Sequence, residues 1–313
     1  MSDSFFEILA LLGGLAVLIA GADLLVRGAA QLARVLGLSP FAIGVTVVAF
    51  GTSAPELFAS IGAALQGVEE LAIGNVIGSN IANILLILGA GAMIAPIGIH
   101  RRVRLVELPI MLSITGVVVA LLLDASLSRV DGILLAAGLI GYVVFIVRAH
   151  RVEIAHEGEE VVSHPKSVWL DVLMVVVGIV ALGLGAKALV YGAAGVAMRV
   201  GVSDGIVGTT VVALGTSLPE LAATVRSALA KQSDIAVGNV VGSNIFNLLS
   251  VLGITAIIHP LGMNQNMELH LWIMLGISAA MVAFAIIRPA MGRLIGLCFL
   301  FVYASYIAYA FIG

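Results

Sequence analysis

A polar signature that occurs twice inside apolar surroundings constrains this chain more than any other feature. Ala49-Phe-Gly-Thr-Ser-Ala-Pro-Glu56 returns as Ala213-Leu-Gly-Thr-Ser-Leu-Pro-Glu220. Each copy is followed at the same distance by a second motif, Gly74-Asn-Val-Ile-Gly-Ser-Asn-Ile-Ala-Asn83 and Gly238-Asn-Val-Val-Gly-Ser-Asn-Ile-Phe-Asn247. One offset of 164 residues carries Thr46 onto Thr210, Glu56 onto Glu220, Ser79 onto Ser243 and Pro96 onto Pro260. No gap is needed from Gly21 and Gly185 to Pro96 and Pro260, and roughly half the positions from Thr46 to Pro96 are identical. The chain is an internal duplication.

Composition says where such a duplication can live. Of its 313 residues 61% are hydrophobic and 11% charged, with a mean hydropathy of +1.18; a soluble domain carries about 25% charged residues. A membrane protein follows. The net charge of −3 without a basic run gives no reason to expect nucleic-acid binding. The single Cys298 excludes a disulfide framework and a thiolate metal site. The acidic start, Met1-Ser-Asp-Ser-Phe-Phe-Glu7, is unlike a cleavable signal, so the first apolar run is expected to remain.

About 20 apolar residues cross the hydrocarbon core. Runs of that kind lie at 5–34, 40–65, 71–95, 105–123, 130–148, 168–199, 204–229, 235–258, 268–287 and 291–312. The expected fold is therefore all-α, with ten transmembrane helices. An outside N-terminus would leave Arg129 and Arg199 in outside loops and gather eleven basic residues inside, among them Arg34, Arg101, Arg148 and Arg288. The positive-inside rule selects that orientation, with both termini outside the inner membrane. An odd number of spans per repeat inverts the second half, an arrangement of secondary transporters. The expected division is a first five-helix repeat at 1–148 (repeated motif 46–97), a cytoplasmic linker at 149–167 and a second five-helix repeat at 168–313 (motif 210–261). The linker histidines His150, His156 and His164 are expected to be solvated.

A charged residue at a helix centre costs roughly 2.5–3.5 kcal/mol on insertion scales. Here it occurs at two equivalent places, one residue after Pro55 and Pro219. Proline removes a backbone donor, so each helix is expected to break, with bare carbonyls near Gly51 and Gly215. Non-helical backbone at that depth is tolerated only in the protein interior or along a cavity. Thr52 and Glu56 share a helix face, as do Thr216 and Glu220, while Asn75, Ser79, Asn83 and Asn239, Ser243, Asn247 recur every fourth residue. Two carboxylates with hydroxyls, amides and carbonyls form an all-oxygen cage suited to hard cations such as calcium or sodium. Helix packing alone requires neither glutamate.

These paired motifs resemble the two alpha-repeats of the calcium:cation antiporter superfamily, and most closely its prokaryotic sodium/calcium exchanger branch. The resemblance implies ten helices, of which the second, third, seventh and eighth enclose the ions while the first and sixth slide against them. It implies ligation by Glu56, Glu220, Thr52, Thr216, Ser53, Ser217, Ser79 and Ser243, and by the carbonyls of Ala49 and Ala213. Some exchangers carry aspartate where this chain has Asn247, opposite Asn83, which leaves Glu56 and Glu220 as the evident carboxylates.

The expected activity is exchange of calcium for sodium by alternating access, with no enzyme chemistry and no cofactor beyond the transported ions. The sequence leaves open a calcium/proton antiporter and, more distantly, a cation channel. An intramembrane hydrolase lacks its motifs: neither Gly-x-Ser-x-Gly nor His-Glu-x-x-His is present.

Overall fold

The computed structural model describes residues 2–150, 165–199, 213–264 and 267–312. Helix α1 spans Ser2–Leu36 and stops at Gly37, whose φ of +61° suits glycine. Ser39 then caps α2 (Pro40–Thr52), accepting the Ala42 N–H at 3.2 Å, with Pro40 in the first turn. Helices α3 (Ala54–Leu65) and α4 (Glu69–Ile94) follow, then the short strand β1 (Ile97–Gly98). Helix α5 (Val103–Asp124), strand β2 (Ser126–Leu127) and helix α6 (Arg129–Ala149) complete the first half. A reciprocal cap starts α6: Ser128 Oγ accepts from the Asp131 N–H and Asp131 Oδ2 accepts from the Ser128 N–H.

The second half repeats this order. Helix α7 spans Pro165–Arg199, α8 Ala213–Gly215, α9 Leu218–Leu229 and α10 Ser233–Ile258. Strand β3 (Leu261–Gly262), helix α11 (Glu268–Ile287), strand β4 (Ala290–Met291) and helix α12 (Arg293–Ile312) end the chain. The turn between α3 and α4 holds Gly67 at φ +74°, and the equivalent Lys231 is also left-handed at φ +60°. The turn geometry has outlasted its glycine.

Among the described residues, eight helices are long and apolar enough to cross a membrane. There are nine if α2 and α3, bent by 42°, count as one broken span. The expected segment 204–229 lies partly outside the described residues; α8 and α9 hold its later portion. Most of the linker expected at 149–167, with His156 and His164, also lies outside them, while His150 is described and, against expectation, is packed and not solvated, its Nδ1 3.0 Å from Ser39 Oγ and its Nε2 2.7 Å from Glu107 Oε1. The chain is a multi-pass membrane protein, and side chains such as Phe58, Trp169 and Phe301 are exposed as lipid-facing groups would be.

Helices α1 and α7, equivalent under the offset, pack against one another in opposite directions. A Cβ on Gly21 would lie 3.0 Å from the Gly178 carbonyl, and one on Gly185 would lie 2.9 Å from the Gly14 carbonyl. Only glycine permits that approach. Arg199 Nη2 donates to Glu7 Oε1 at 3.0 Å across the far end of the pair.

The two halves are also stitched across each other. Strand β1 pairs antiparallel with β4 (Ile97 opposite Met291), and β2 with β3 (Leu127 opposite Leu261). The 164-residue offset converts one pairing into the other. Helices α4 and α10 are the most enclosed of the spans, so their motifs face protein and not lipid.

Candidate functional site

Each glutamate motif sits where a helix is interrupted. Ser53 leaves helical geometry at φ −83°, ψ 3°, and Ser217 does the same at φ −89°, ψ 4°. Pro55 and Pro219 then fall in the first turns of α3 and α9, where an absent N–H leaves nothing unsatisfied. Glu56 and Glu220 occupy those same first turns. The N-terminal end of a helix carries partial positive charge, which offsets part of the cost of a buried carboxylate.

The breaks differ from expectation in one respect: they fall at the serines. Gly51 and Gly215 serve packing, since a side chain on Gly51 would strike Ile179 and one on Gly215 would strike Val190, both on α7. The Ala49 carbonyl accepts the Ser53 N–H at 2.9 Å and the Thr52 hydroxyl at 3.3 Å. Ala213 opens α8.

The two carboxylates are held crosswise. Ser53 Oγ of the first half donates to Glu220 Oε1 of the second at 3.1 Å, and Ser217 Oγ donates to Glu56 Oε1 at 3.1 Å. Ser217 also meets Ser79 Oγ at 3.3 Å. Both glutamates are 1% exposed, so neither is solvated by bulk water.

A matched pair of asparagines supports the breaks from behind. Asn75 Nδ2 donates to the Glu56 carbonyl (3.2 Å) and to Ser60 Oγ (2.9 Å). Asn239 Nδ2 donates to the Glu220 carbonyl (3.3 Å) and to Thr224 Oγ1 (2.9 Å). Asn239 Oδ1 further accepts from Thr52 Oγ1 at 3.2 Å. Asn75 and Asn239 therefore leave the row in which spacing put them with Ser79, Asn83, Ser243 and Asn247.

Beyond them both helices wind into a π-turn at the same place, Asn83–Ile87 in α4 and Asn247–Val251 in α10. Such turns insert an extra residue and recur at functional sites. Asn83, Ser243 and Asn247 are buried.

The cage contains more acceptor oxygen than the protein uses. Glu56 Oε2, Glu220 Oε2, Asn83 Oδ1, Ser243 Oγ and Asn247 Oδ1 are buried without a hydrogen-bond partner. Unpaired buried polar atoms are rare and costly, and hard oxygens of this kind can ligate a cation. Among the described residues no cluster of three or more His, Cys, Asp or Glu side chains forms. The donors are hard oxygens.

The surroundings of the cage are unequal. Gly238 and Gly242 of α10 lie against α2: a Cβ on the first would be 2.7 Å from the Phe41 carbonyl, and on the second 2.6 Å from the Val45 carbonyl. Their equivalents on α4, Gly74 and Gly78, are half-buried, as are Asn75 and Thr216. Residues 205–212, equivalent to Phe41–Val48, lie outside the described residues.

Comparison with known proteins agrees with this geometry. The sodium/calcium exchanger protein family matches residues 6–148 and again residues 170–312. The chain belongs to that family. Within this exchanger family, the sodium/calcium exchanger MaX1 of Methanosarcina acetivorans is 32% identical over 295 residues, 82% of this chain and 84% of its own. The inner membrane protein YrbG of Escherichia coli is 39% identical over 235 residues, 72% of either chain. A solved structure of the sodium-calcium exchanger NCX_Mj, soaked with 10 mM sodium and no calcium, superposes with a TM-score of 0.87 at 30% identity, covering 97% of this chain and 99% of its own. The exchanger family is one of transporters.

Two polar contributions escaped sequence reasoning. Asn80 and Asn244, inside the repeated Gly-Ser-Asn triplet, are buried beside the row of predicted ligands. Asp23 pairs with Arg27, four residues on, at 2.9 Å and also accepts from Arg226 Nε of α9 at 2.7 Å.

Proposed function

We propose that this protein exchanges calcium for sodium across the membrane by alternating access, both ions competing for one oxygen cage. The observation that carries this reading is the crossed serine–carboxylate pair. It ties one carboxylate from each half to a serine of the other and leaves a second oxygen of each buried without a partner. One divalent ion neutralises both charges, and so do sodium ions in its stead. Empty, the cage holds two like charges in a medium of low dielectric, which opposes closure. Obligatory exchange follows from that penalty.

Glu56, Glu220, Thr52, Thr216, Ser53, Ser217, Ser79, Ser243, Asn83 and Asn247 supply side-chain oxygens, and the carbonyls of Ala49 and Ala213 line flanking sodium positions. The two five-helix units at 1–148 and 168–313 enter the membrane in opposite senses, a reading supported by the antiparallel packing of α1 on α7. By the positive-inside rule the termini lie outside and the 149–167 linker inside. On that orientation, the tight seam of α2 on α10 closes the cytoplasmic side, while half-buried Gly74, Gly78 and Thr216 mark the outward path.

The test is calcium uptake into proteoliposomes under an imposed sodium gradient with pH clamped. Uptake should follow the sodium gradient, and Glu56→Gln or Glu220→Gln should reduce it at least 100-fold while leaving membrane insertion intact, roughly the effect of losing one carboxylate ligand worth about 3 kcal/mol. Uptake driven only by a proton gradient would make the protein a calcium/proton antiporter. Wild-type-like flux in both variants would remove the proposed site.

A further inference from the structure

The halves agree at the carboxylates and part company at the carboxamides. Asn244 of α10 is buried between Met111 of α5 and Asn83 of α4. One end of its amide lies 3.6 Å from Met111 Sδ. A thioether sulfur has no proton to give, so that end must be the NH2 group. The opposite end, Oδ1, therefore faces Asn83, whose Nδ2 donates to it at 3.1 Å. With its NH2 committed, Asn83 has only Oδ1 to offer, and that oxygen is buried and unpartnered.

Nothing equivalent restrains Asn247. Asn80, the counterpart of Asn244, donates instead to the Val76 carbonyl of its own helix at 2.7 Å. The buried faces of α5 and α11 match one residue short of the 164 offset (Leu108, Met111 and Thr115 with Leu271, Met274 and Ser278), so the counterpart of Met111 is Met274, but the Asn80 amide is turned to its own backbone. Both Nδ2 and Oδ1 of Asn247 are unpartnered.

The two ends of a carboxamide have nearly the same shape and opposite chemistry. Oxygen-first, the group is a hard cation ligand; nitrogen-first, it presents protons to the ion. Helix α9, which carries Glu220, packs on the turn that starts at Asn83, and α3, which carries Glu56, on the turn that starts at Asn247, so carboxylates there would draw an unrestrained NH2 group inward. We propose that Asn244, itself oriented by Met111, is a positioning residue that fixes the Asn83 carboxamide oxygen-first toward the transported cation. The site then has one oriented carboxamide and one free to turn. The inference rests on reading the cage as the cation site, and it adds a residue that does not touch the ion.

The test is calcium titration of the purified full-length protein, read as a dissociation constant. Asn244→Leu should weaken binding about tenfold, since affinity falls with the fraction of sites correctly oriented. Met111→Leu, which conserves volume, should weaken it about threefold, and it carries the test if Asn244→Leu does not fold. In an Asn83→Asp background both ends of the side chain are oxygen, so there is nothing left to orient. There either substitution should change the constant less than twofold. An equal loss in both backgrounds would mean ordinary packing damage and overturn the proposal, as would unchanged binding in the native background. Wild-type protein that binds no calcium would overturn the cage reading along with it.

Discussion

Two halves built from one sequence pattern have kept some features identical and let others diverge, and the division falls along functional lines. At the carboxylates they match bond for bond: Ser53 to Glu220 and Ser217 to Glu56, each at 3.1 Å. Asn75 and Asn239 make the same pair of supporting bonds. Around this centre the likeness is incomplete. Gly238 and Gly242 are sealed against α2 while Gly74 and Gly78 are half-buried. Asp23 joins α1 to Arg226 of α9, whereas the equivalent positions hold Lys187 and Gly62 and cannot form that pair. The symmetric part is where we propose that the cation binds. In the same proposal the unequal part distinguishes one side of the membrane from the other.

That comparison can be broken most forcefully at the glycines. Gly242→Leu would drive a side chain into the Val45 carbonyl, which is backbone and cannot swing aside. We expect sodium-driven calcium uptake to fall below detection, against less than a threefold change for Gly78→Ala; equal losses would erase the claimed inequality. Next come the serines. A hydrogen bond to a charged group contributes about 1.5–3 kcal/mol, so Ser53→Ala and Ser217→Ala should each weaken calcium binding by about tenfold or more. Ser217→Ala should be the more damaging, because that hydroxyl also meets Ser79. The reverse order in a calcium titration would contradict the crossed geometry. The smallest effect belongs to the ion pair. Its side chains are about a quarter exposed, and screened pairs are worth on the order of 1 kcal/mol or less. Asp23→Asn should therefore change the exchange rate a few-fold and lower the melting temperature slightly, with Lys187→Gln as a silent control.

Much of this was legible in the residues themselves. The 164-residue offset identified the duplication, and hydropathy the membrane setting. Both carboxylates stood out because helix packing gives no reason to bury a Pro-Glu pair twice within apolar runs. The offset in fact reaches further than sequence identity suggested, to Gly14 with Gly178 and to β2 with β4, where geometry persists after side chains have drifted. What spacing could not supply was partnership across the halves. Ser53 shares a motif with Glu56 yet bonds to Glu220. A period of four linked Asn75 to Asn83, but Asn75 turns back to Ser60, and the π-turn at Asn83 rotates everything after it. Asn244 was overlooked for the same reason: it lies one residue off the counted row, and its orientation depends on a methionine sulfur far away in sequence. The span count suffered at 204–212, outside the described residues.

The crossed bonds have a consequence for how the molecule is made. During synthesis Glu56 passes into the lipid phase long before Ser217 exists, so the first carboxylate must wait without its hydroxyl until the later helices arrive. A half-length forebear carrying one motif would have faced the same lack permanently. It could satisfy its own glutamate only by meeting a sister copy packed antiparallel to it, as α7 lies on α1. Joining two such copies in one polypeptide would have made that encounter certain, leaving each copy free to specialise.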